Sequence, residues 1–210
     1  MKIPYYTLML VTHKNDTPTH DYLQFIQCCA ESGITALQLR EKNASHAELL
    51  DLGQQIKRIL APFDIPLIIN DNVTLAIELN ADGVHLGQSD ACPINTRQRL
   101  GTEKIIGLSI DSVENLHVAN QLPIDYVGIG AIFPTATKHN VATIWGTEGL
   151  LKLSAVSKHP IVAIGGINES NTSNVKRAGA HGVAVIGALH DSSAPKNTVS
   201  NLRHLMGVTS

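Results

Sequence analysis

The sequence predicts an α/β fold in which eight strand–helix units close into one parallel barrel, and three observations lead to this prediction. Short, β-branched, nearly continuous apolar runs alternate with segments of helical periodicity, as expected for parallel strands buried on both faces. The 210 residues divide into units of about 25 residues each, which suits a small barrel. Several runs also end in polar residues, and a (β/α)8 TIM barrel brings the carboxyl ends of all its strands to one mouth.

The eight predicted strands are rich in Ile, Leu and Val. They cover residues 7–11, 35–40, 67–70, 83–86, 105–109, 126–130, 161–164 and 182–186. The predicted helices follow these strands in order. They cover residues 19–31, 46–60, 73–79, 93–100, 112–120, 147–158, 169–178 and 194–206.

Capping and turn residues set the element boundaries along the chain. Gly33 stops the first helix. Ser45 begins the second, and Glu48 three residues later completes a capping box. Pro93 opens the fourth helix and Asn168 is predicted to cap the seventh.

A doubly wound open sheet is the main alternative fold. That fold would require a glycine-rich fingerprint after the first strand, and residues 12–15 (THKN) do not provide one. No linker or low-complexity stretch interrupts the pattern. We therefore expect residues 1–210 to form a single catalytic barrel domain.

Composition excludes several functional classes. The chain is 43% hydrophobic and 16% charged with a formal net charge of −2, so a basic nucleic-acid-binding face is not expected. No run is long enough to span a membrane and no signal-peptide pattern opens the sequence, which predicts a cytoplasmic protein. The three cysteines lack CxxC or zinc spacing and are expected to pack as apolar residues. An oligomer of identical subunits remains open.

Two cations follow the second predicted strand. Arg40 and Lys42 lie two residues apart, where both could reach one phosphate group. The alternative is a solvated surface pair. Gln38 favours the functional interpretation, because an amide inside an apolar barrel strand requires a hydrogen-bonding partner.

Polar oxygen ligands follow the third and fourth strands. Asn70 and Asp71 end one strand, and Asp90 comes shortly after the next. Carboxylates from neighbouring strands suit Mg²⁺, which keeps several waters and binds phosphate oxygens. A helix cap at Asp71 and a turn at Asp90 are the alternatives.

His85 lies within the fourth strand and points toward the same mouth. It is either a hydrogen-bonded structural residue or a ligand for a heteroaromatic substrate.

A second anion site is predicted at the later strands. Thr135, Thr137 and Lys138 lie in the long loop 131–145, whose length suggests either a phosphate grip or a plain flexible connection. Gly166 and Gly187 follow the seventh and eighth strands, where glycine amides of this fold commonly bind phosphate.

The residues therefore predict two anion sites at one mouth, without a nucleophilic triad or a close carboxylate pair for acid–base work. Chemistry that needs little acid or base is the departure of diphosphate from a carbon that tolerates positive charge. The protein then stabilises the leaving group and positions the acceptor.

The chain resembles the thiamine-phosphate synthase family over essentially its whole length. The segments that support the resemblance are residues 37–42 (LQLREK), 67–71 (LIIND), 81–90 (ADGVHLGQSD), 107–109 (GLS), 125–138 (DYVGIGAIFPTATK), 162–167 (VAIGGI) and 182–186 (GVAVI). The chain departs from the usual pattern at Met9, where the family often has Tyr, and at Gly187, where it often has Ser.

The resemblance implies a TIM barrel that joins hydroxymethylpyrimidine diphosphate to hydroxyethylthiazole phosphate with Mg²⁺ and releases diphosphate. It implies roles for residues at matching positions: Gln38 and His85 for the pyrimidine; Arg40, Lys42, Asn70, Ser109 and Lys138 for the diphosphate; Asp71 and Asp90 for Mg²⁺; Thr135, Thr137, Gly166, Ile186 and Gly187 for the thiazole phosphate. Within this set it assigns catalytic roles to Arg40, Lys42, Ser109 and Lys138.

Two rival functions remain open at this point. A related thiazole tautomerase would share the glycine turns, but such proteins tend to lack the metal and diphosphate residues. A catalytically silent ligand-binding barrel would bind the substrates without turnover.

Overall fold

The eight strands form a closed, all-parallel barrel in a computed structural model that describes residues 3–135 and 143–208. The strands are β1 Leu8–Val11, β2 Ala36–Leu39, β3 Leu67–Asn70, β4 Gly83–Leu86, β5 Ile105–Ile110, β6 Tyr126–Ile129, β7 Ile161–Ile164 and β8 Gly182–Val185. Each strand pairs with the next in sequence, and β8 pairs with β1 to close the barrel. The predicted (β/α)8 barrel is confirmed, and the open sheet is not the fold.

Helices connect successive strands around the outside of the barrel. They are α1 Thr19–Ser32, α2 His46–Leu60, α3 Val73–Glu78, α4 Pro93–Leu100, α5 Val113–Ala119, α6 Gly146–Ser154, α7 Thr172–Arg177, α8 Gly187–His190 and α9 Pro195–Leu205. Within the ranges that the structure describes, we find no helix with the length and hydropathy needed to cross a bilayer.

The predicted stop of α1 at Gly33 and the predicted start of α2 at Ser45 are confirmed. Gly33 ends α1 with a φ of 101°, a conformation that glycine adopts without strain. Ser45 Oγ accepts a hydrogen bond from Glu48 N at 3.3 Å, and Glu48 Oε2 accepts one from Ser45 N at 2.7 Å. The capping box therefore forms as the sequence predicts.

The predicted start of α7 was wrong. Asn168 does not cap the helix, because its Oδ1 accepts hydrogen bonds from Ser170 N at 2.9 Å and Ser170 Oγ at 2.6 Å. This local turn uses the side chain that the cap would have needed, and α7 begins only at Thr172.

Two further helix predictions need correction near the ends of α6 and β8. α6 ends at Ser154 rather than at Lys158, whose backbone N donates to Asn120 Oδ1 at 2.8 Å. The short helix α8, directly after β8, was not predicted. Four residues are too few to show a helical period in the sequence.

The core has an outer layer between sheet and helices and a smaller inner layer inside the barrel. The inner layer consists of Met9, Val11, Ala36, Ile68, Tyr126, Val162 and Ala184. Polar side chains lie in the barrel above it, toward the carboxyl ends of the strands. The barrel register thus brings residues from every part of the chain to one opening.

Candidate active site

A cavity of about 550 Å³ opens at the carboxyl ends of the strands. It brings together a large part of the side chains that the sequence predicted. Those that line it are Gln38, Arg40, Lys42, Asn70, Asp71, His85, Asp90, Ser109, Thr135 and Ile186. Thr137 and Lys138 lie outside the described residues, so their placement stays a prediction.

Two cations without a fixed partner face this cavity. The Arg40 backbone N donates to the buried Thr12 Oγ1 at 2.8 Å, which fixes the chain at the end of β2. Within residues 3–135 and 143–208, neither the Arg40 guanidinium nor the Lys42 ammonium makes a hydrogen bond or an ion pair. Cations left unpaired in a concave site are suited to bind an anionic ligand.

Two carboxylates line the same cavity, and the pKa of one of them is raised by the other. The pKa of Asp71 is raised to about 6, chiefly by burial and then by the neighbouring Asp90 carboxyl, while Asn70 and the Arg40 charge act in the opposite direction. Asp90 is held in place because its Oδ2 accepts a hydrogen bond from Gly87 N at 2.7 Å. Asn72, not Asp71, caps α3, since Asn72 Oδ1 accepts from Leu75 N at 2.9 Å. The Asp71 carboxylate is therefore not used as a helix cap.

The sequence predicted no close carboxylate pair, but Asp71 and Asp90 form one at the cavity. This pair fits a divalent cation that is completed by other ligands. In the part of the chain that the structure describes, no three His, Cys, Asp or Glu side chains cluster in a way that could hold a metal. Mg²⁺ does not need such a cage, because one or two carboxylates with waters and phosphate oxygens satisfy it. Asp71 and Asp90 could hold Mg²⁺ in this way, and the positive charge would relieve their mutual repulsion.

His85 is oriented by the protein on both sides of its ring. Its Nδ1 lies 2.8 Å from the Tyr126 hydroxyl, and its Nε2 lies 2.9 Å from Ser109 Oγ. Burial raises the pKa of Tyr126 well above its ordinary value, and a hydrogen bond from Gln38 acts in the opposite direction. Tyr126, His85 and Ser109 thus form a continuous chain of hydrogen bonds, and all three residues line the cavity.

Tyr126 is the residue of this group that sequence reasoning missed. An aromatic residue at the start of an apolar strand indicates core packing, and Tyr126 is indeed 1% exposed. A signal was present in β5, where Gly107 pairs with His85 on one side and with Tyr126 on the other. A strand glycine often marks a close approach of neighbouring groups.

The two glycines predicted for the second anion site do not line the cavity, although their neighbours Gly165 and Ile186 do. Gly166 has a φ of 64°, and a Cβ there would lie 2.6 Å from the carbonyl oxygen of Pro134. Gly166 therefore packs against the loop that follows β6. Gly187 is the first residue of α8.

Fold and pocket together define a class: a (β/α)8 barrel with a cavity lined by charged residues at the carboxyl ends of its strands. A family model described as thiamine monophosphate synthase matches residues 8–189. The chain therefore belongs to the thiamine monophosphate synthase family, as its motifs predicted.

Relatives match over nearly the whole chain. A thiamine-phosphate synthase from Chlamydia caviae is 46% identical over 206 residues, covering 98% of this chain and 97% of the relative. A thiamine-phosphate synthase from Vibrio campbellii is 43% identical over 202 residues, covering 96% of this chain and 98% of the relative. The solved thiamine phosphate pyrophosphorylase from Pyrococcus furiosus has a TM-score of 0.86 at 32% identity, covering 97% of this chain and 96% of that one.

Proposed function

We propose that this protein transfers the hydroxymethylpyrimidine group from its diphosphate to hydroxyethylthiazole phosphate, forming thiamine phosphate and releasing diphosphate. The names of its relatives support this reaction. The observation that carries the proposal is one cavity lined by the cations Arg40 and Lys42 and by the Asp71 and Asp90 carboxylates.

Arg40 and Lys42 bind the diphosphate in this mechanism and stabilise the charge that develops on it. As the bond between the pyrimidine methylene carbon and the diphosphate oxygen breaks, its electron pair leaves with the diphosphate. Cations placed in advance around that oxygen stabilise the transition state more than the ground state. Ser109 donates its hydroxyl proton to the same group, and Lys138 is expected to add a further charge.

Asp71 and Asp90 hold Mg²⁺ in this proposal, with Asn70 beside them. When bound there, the ion would neutralise charge on the leaving diphosphate. The resemblance to the family supports this assignment, and so does the repulsion between the two carboxylates, which a dication would relieve.

Gln38 and His85 orient the pyrimidine, because both are polar groups fixed inside the barrel beneath the cavity. The thiazole nitrogen then forms the new bond to the methylene carbon. Thr135 and Ile186 line the cavity on the side expected to hold the thiazole phosphate. We expect Thr137, Gly166 and Gly187 to complete that site.

An assay of diphosphate release with both substrates, with Mg²⁺ or with excess EDTA, tests the proposal. We expect turnover only with Mg²⁺, and a loss of about 10²-fold in Asp71→Asn, the order of effect when preorganised charge stabilisation is removed. Asp64→Asn is the matched control, because Asp64 has a similar backbone conformation, with a φ of 54° against 62° for Asp71. Asp64 is exposed and does not line the cavity, so this variant should keep full activity.

Two outcomes would overturn parts of the proposal. Full turnover in excess EDTA would refute the metal assignment and leave the reaction intact. Binding of both substrates without turnover would mean a catalytically silent barrel.

A further inference from the structure

A chain of hydrogen bonds behind the cavity connects the end of β8 with the end of β1. His190 Nδ1 lies 2.9 Å from the Ile186 carbonyl oxygen, and His190 Nε2 lies 2.9 Å from the Tyr22 hydroxyl. The Tyr22 hydroxyl in turn accepts a hydrogen bond from His13 N at 2.9 Å. These contacts join residues from the first and last quarters of the sequence.

The chemistry of the partners fixes the direction of every bond in this chain. A carbonyl oxygen can only accept, so His190 Nδ1 carries the proton and donates to Ile186. In the neutral ring Nε2 is then an acceptor, and the Tyr22 hydroxyl donates to it. The oxygen of Tyr22 remains free to accept from His13 N. All the bonds are thus satisfied at once by one tautomer of His190.

Packing keeps both rings in place. Tyr22 is 2% exposed, and its ring stacks on His190 with centroids 5.8 Å apart. Phe25 packs on the same imidazole at 4.9 Å. Burial lowers the pKa of His190, and the nearby His13 ring acts in the same direction, against the Ile186 hydrogen bond and the charges of Glu41 and Asp191. These surroundings support the neutral tautomer that the hydrogen bonds require.

The chain continues from Tyr22 to a cation of the cavity. His13, whose N–H donates to Tyr22, directly follows Thr12 in the sequence, and Thr12 Oγ1 accepts from Arg40 N at 2.8 Å. One end of the chain is therefore Ile186 and the other is Arg40, and both line the cavity. Neither Tyr22 nor His190 lines it.

We propose that Tyr22 and His190 are positioning residues that hold the Ile186 turn and Arg40 at a fixed separation, and so align the two phosphorylated substrates. The inference rests on the proposed function, in which Arg40 binds the diphosphate and the Ile186 turn binds the thiazole phosphate. A fixed separation matters because binding groups that are already in place bind each phosphorylated substrate without the cost of ordering them first.

Tyr22→Phe tests this role, because it removes one hydroxyl and keeps the packed ring. We expect the KM for each substrate to rise roughly three- to tenfold, the effect of one lost hydrogen bond on a binding group. Tyr6→Phe is the matched control, since it removes a hydroxyl at the opposite end of the barrel, where Tyr6 packs near His181. It should leave both KM values unchanged.

His190→Asn provides a second variant at a less buried position. The Asn amide can still donate to the Ile186 carbonyl but cannot reach Tyr22. The KM values of His190→Asn should therefore match those of Tyr22→Phe. The KM values of the double variant should be no higher than those of the more affected single variant, because both changes break the same chain of hydrogen bonds. A protein that is only less stable would show a lower melting temperature and a lower kcat with unchanged KM.

Titration calorimetry separates this inference from the proposed function. Dissociation constants for inorganic diphosphate with Mg²⁺ and for the thiazole phosphate are measured in wild type and in both variants. A three- to tenfold weakening in the variants supports the positioning role, whether or not wild type turns over. Unchanged constants and unchanged KM in a folded variant overturn it, while absent wild-type turnover would overturn only the proposed reaction.

Discussion

Asp71 combines two unfavourable features in one residue. Its φ of 62° lies in the left-handed region, which non-glycine residues rarely adopt, and its carboxylate lies beside that of Asp90. Residues held in such conformations cluster at functional sites, where the surrounding structure maintains them. The Asp71 amide is fixed by donating to the His85 carbonyl oxygen at 2.8 Å. We infer that Asp71 lowers the stability of the folded protein and at the same time places a carboxylate in the cavity.

Removal of the Asp71 charge should therefore stabilise the protein in the absence of metal. At pH 7.5 without Mg²⁺, we expect Asp71→Asn to raise the melting temperature by roughly 1–3 °C. Asparagine also tolerates the left-handed conformation well. Differential scanning fluorimetry measures the change, and the Asp64→Asn variant should show no increase of this size.

The same variant should change the pH dependence of stability. The folded-state pKa of Asp71, about 6, lies above its ordinary value of 3.8, so the folded protein binds more protons between these values. The free energy of unfolding of the metal-free wild type should accordingly fall as the pH rises from about 4 to 7. This fall should be smaller in Asp71→Asn, and identical pH profiles for the two proteins would contradict the assignment.

At the scale of the element, the glycines of β5 and β6 make room for the His85 and Tyr126 pair. A Cβ on Gly107 would overlap both Tyr126 Cζ and His85 Nδ1. A Cβ on Gly128 would lie 2.9 Å from His85 Cε1 and would meet only the edge of that ring. The absence of side chains at Gly107 and Gly128 thus leaves room for the His85 and Tyr126 pair inside the barrel.

This arrangement predicts a graded effect of two alanine substitutions. Gly107→Ala should lower kcat/KM more than tenfold and destabilise the protein by about 1–3 kcal/mol, because overpacking displaces both partners of the hydrogen bond. Gly128→Ala should have the smaller effect on both quantities. Steady-state kinetics and denaturant unfolding measure them, and the reverse order would show that His85 does not depend on Tyr126.

The α2 capping box is expected to affect stability without affecting catalysis. Ser45→Ala should lower the free energy of unfolding by about 1 kcal/mol, because it leaves the Glu48 amide without its acceptor. In a protein of this size that lowers the melting temperature by roughly 2–4 °C. Ser112→Ala, at the cap of α5, should cost a similar amount, and both variants should keep the wild-type KM values.

Local chemistry decided which elements could be predicted from the sequence. β3, β4, β7 and α4 have their predicted bounds, because proline, glycine or a sharp change in polarity marks their ends. Asn168 misled the prediction of α7, since the same side chain suits a helix cap and a local turn, and only the tertiary structure chooses between them.

The site was predictable to the extent that polar residues interrupt apolar strands. Gln38, Asp71 and Asp90 could be placed at one mouth because parallel strands share a direction. Tyr22 and His190 could not be predicted to act together, because their contact spans most of the sequence.

At the scale of the whole molecule, bound ligand should stabilise the barrel by mass action. With Mg²⁺ and inorganic diphosphate at about 100 times the dissociation constant, the gain is about 2.7 kcal/mol. The melting temperature of wild type should then rise by roughly 5–10 °C. Thermal scans with diphosphate in EDTA, and with Asp71→Asn, should show a much smaller rise, and equal shifts would contradict a shared site for metal and diphosphate.

The backbone edges of β1 and β8 are exposed until these two strands pair, and they are covered once the barrel is closed. Leu8 pairs with Val183 and Leu10 pairs with Val185, so closure waits until the last strand is available. During synthesis on the ribosome, the growing sheet keeps two open margins that could pair with another nascent chain. The hazard of aggregation therefore falls on the unfinished polypeptide, before β8 can pair with β1.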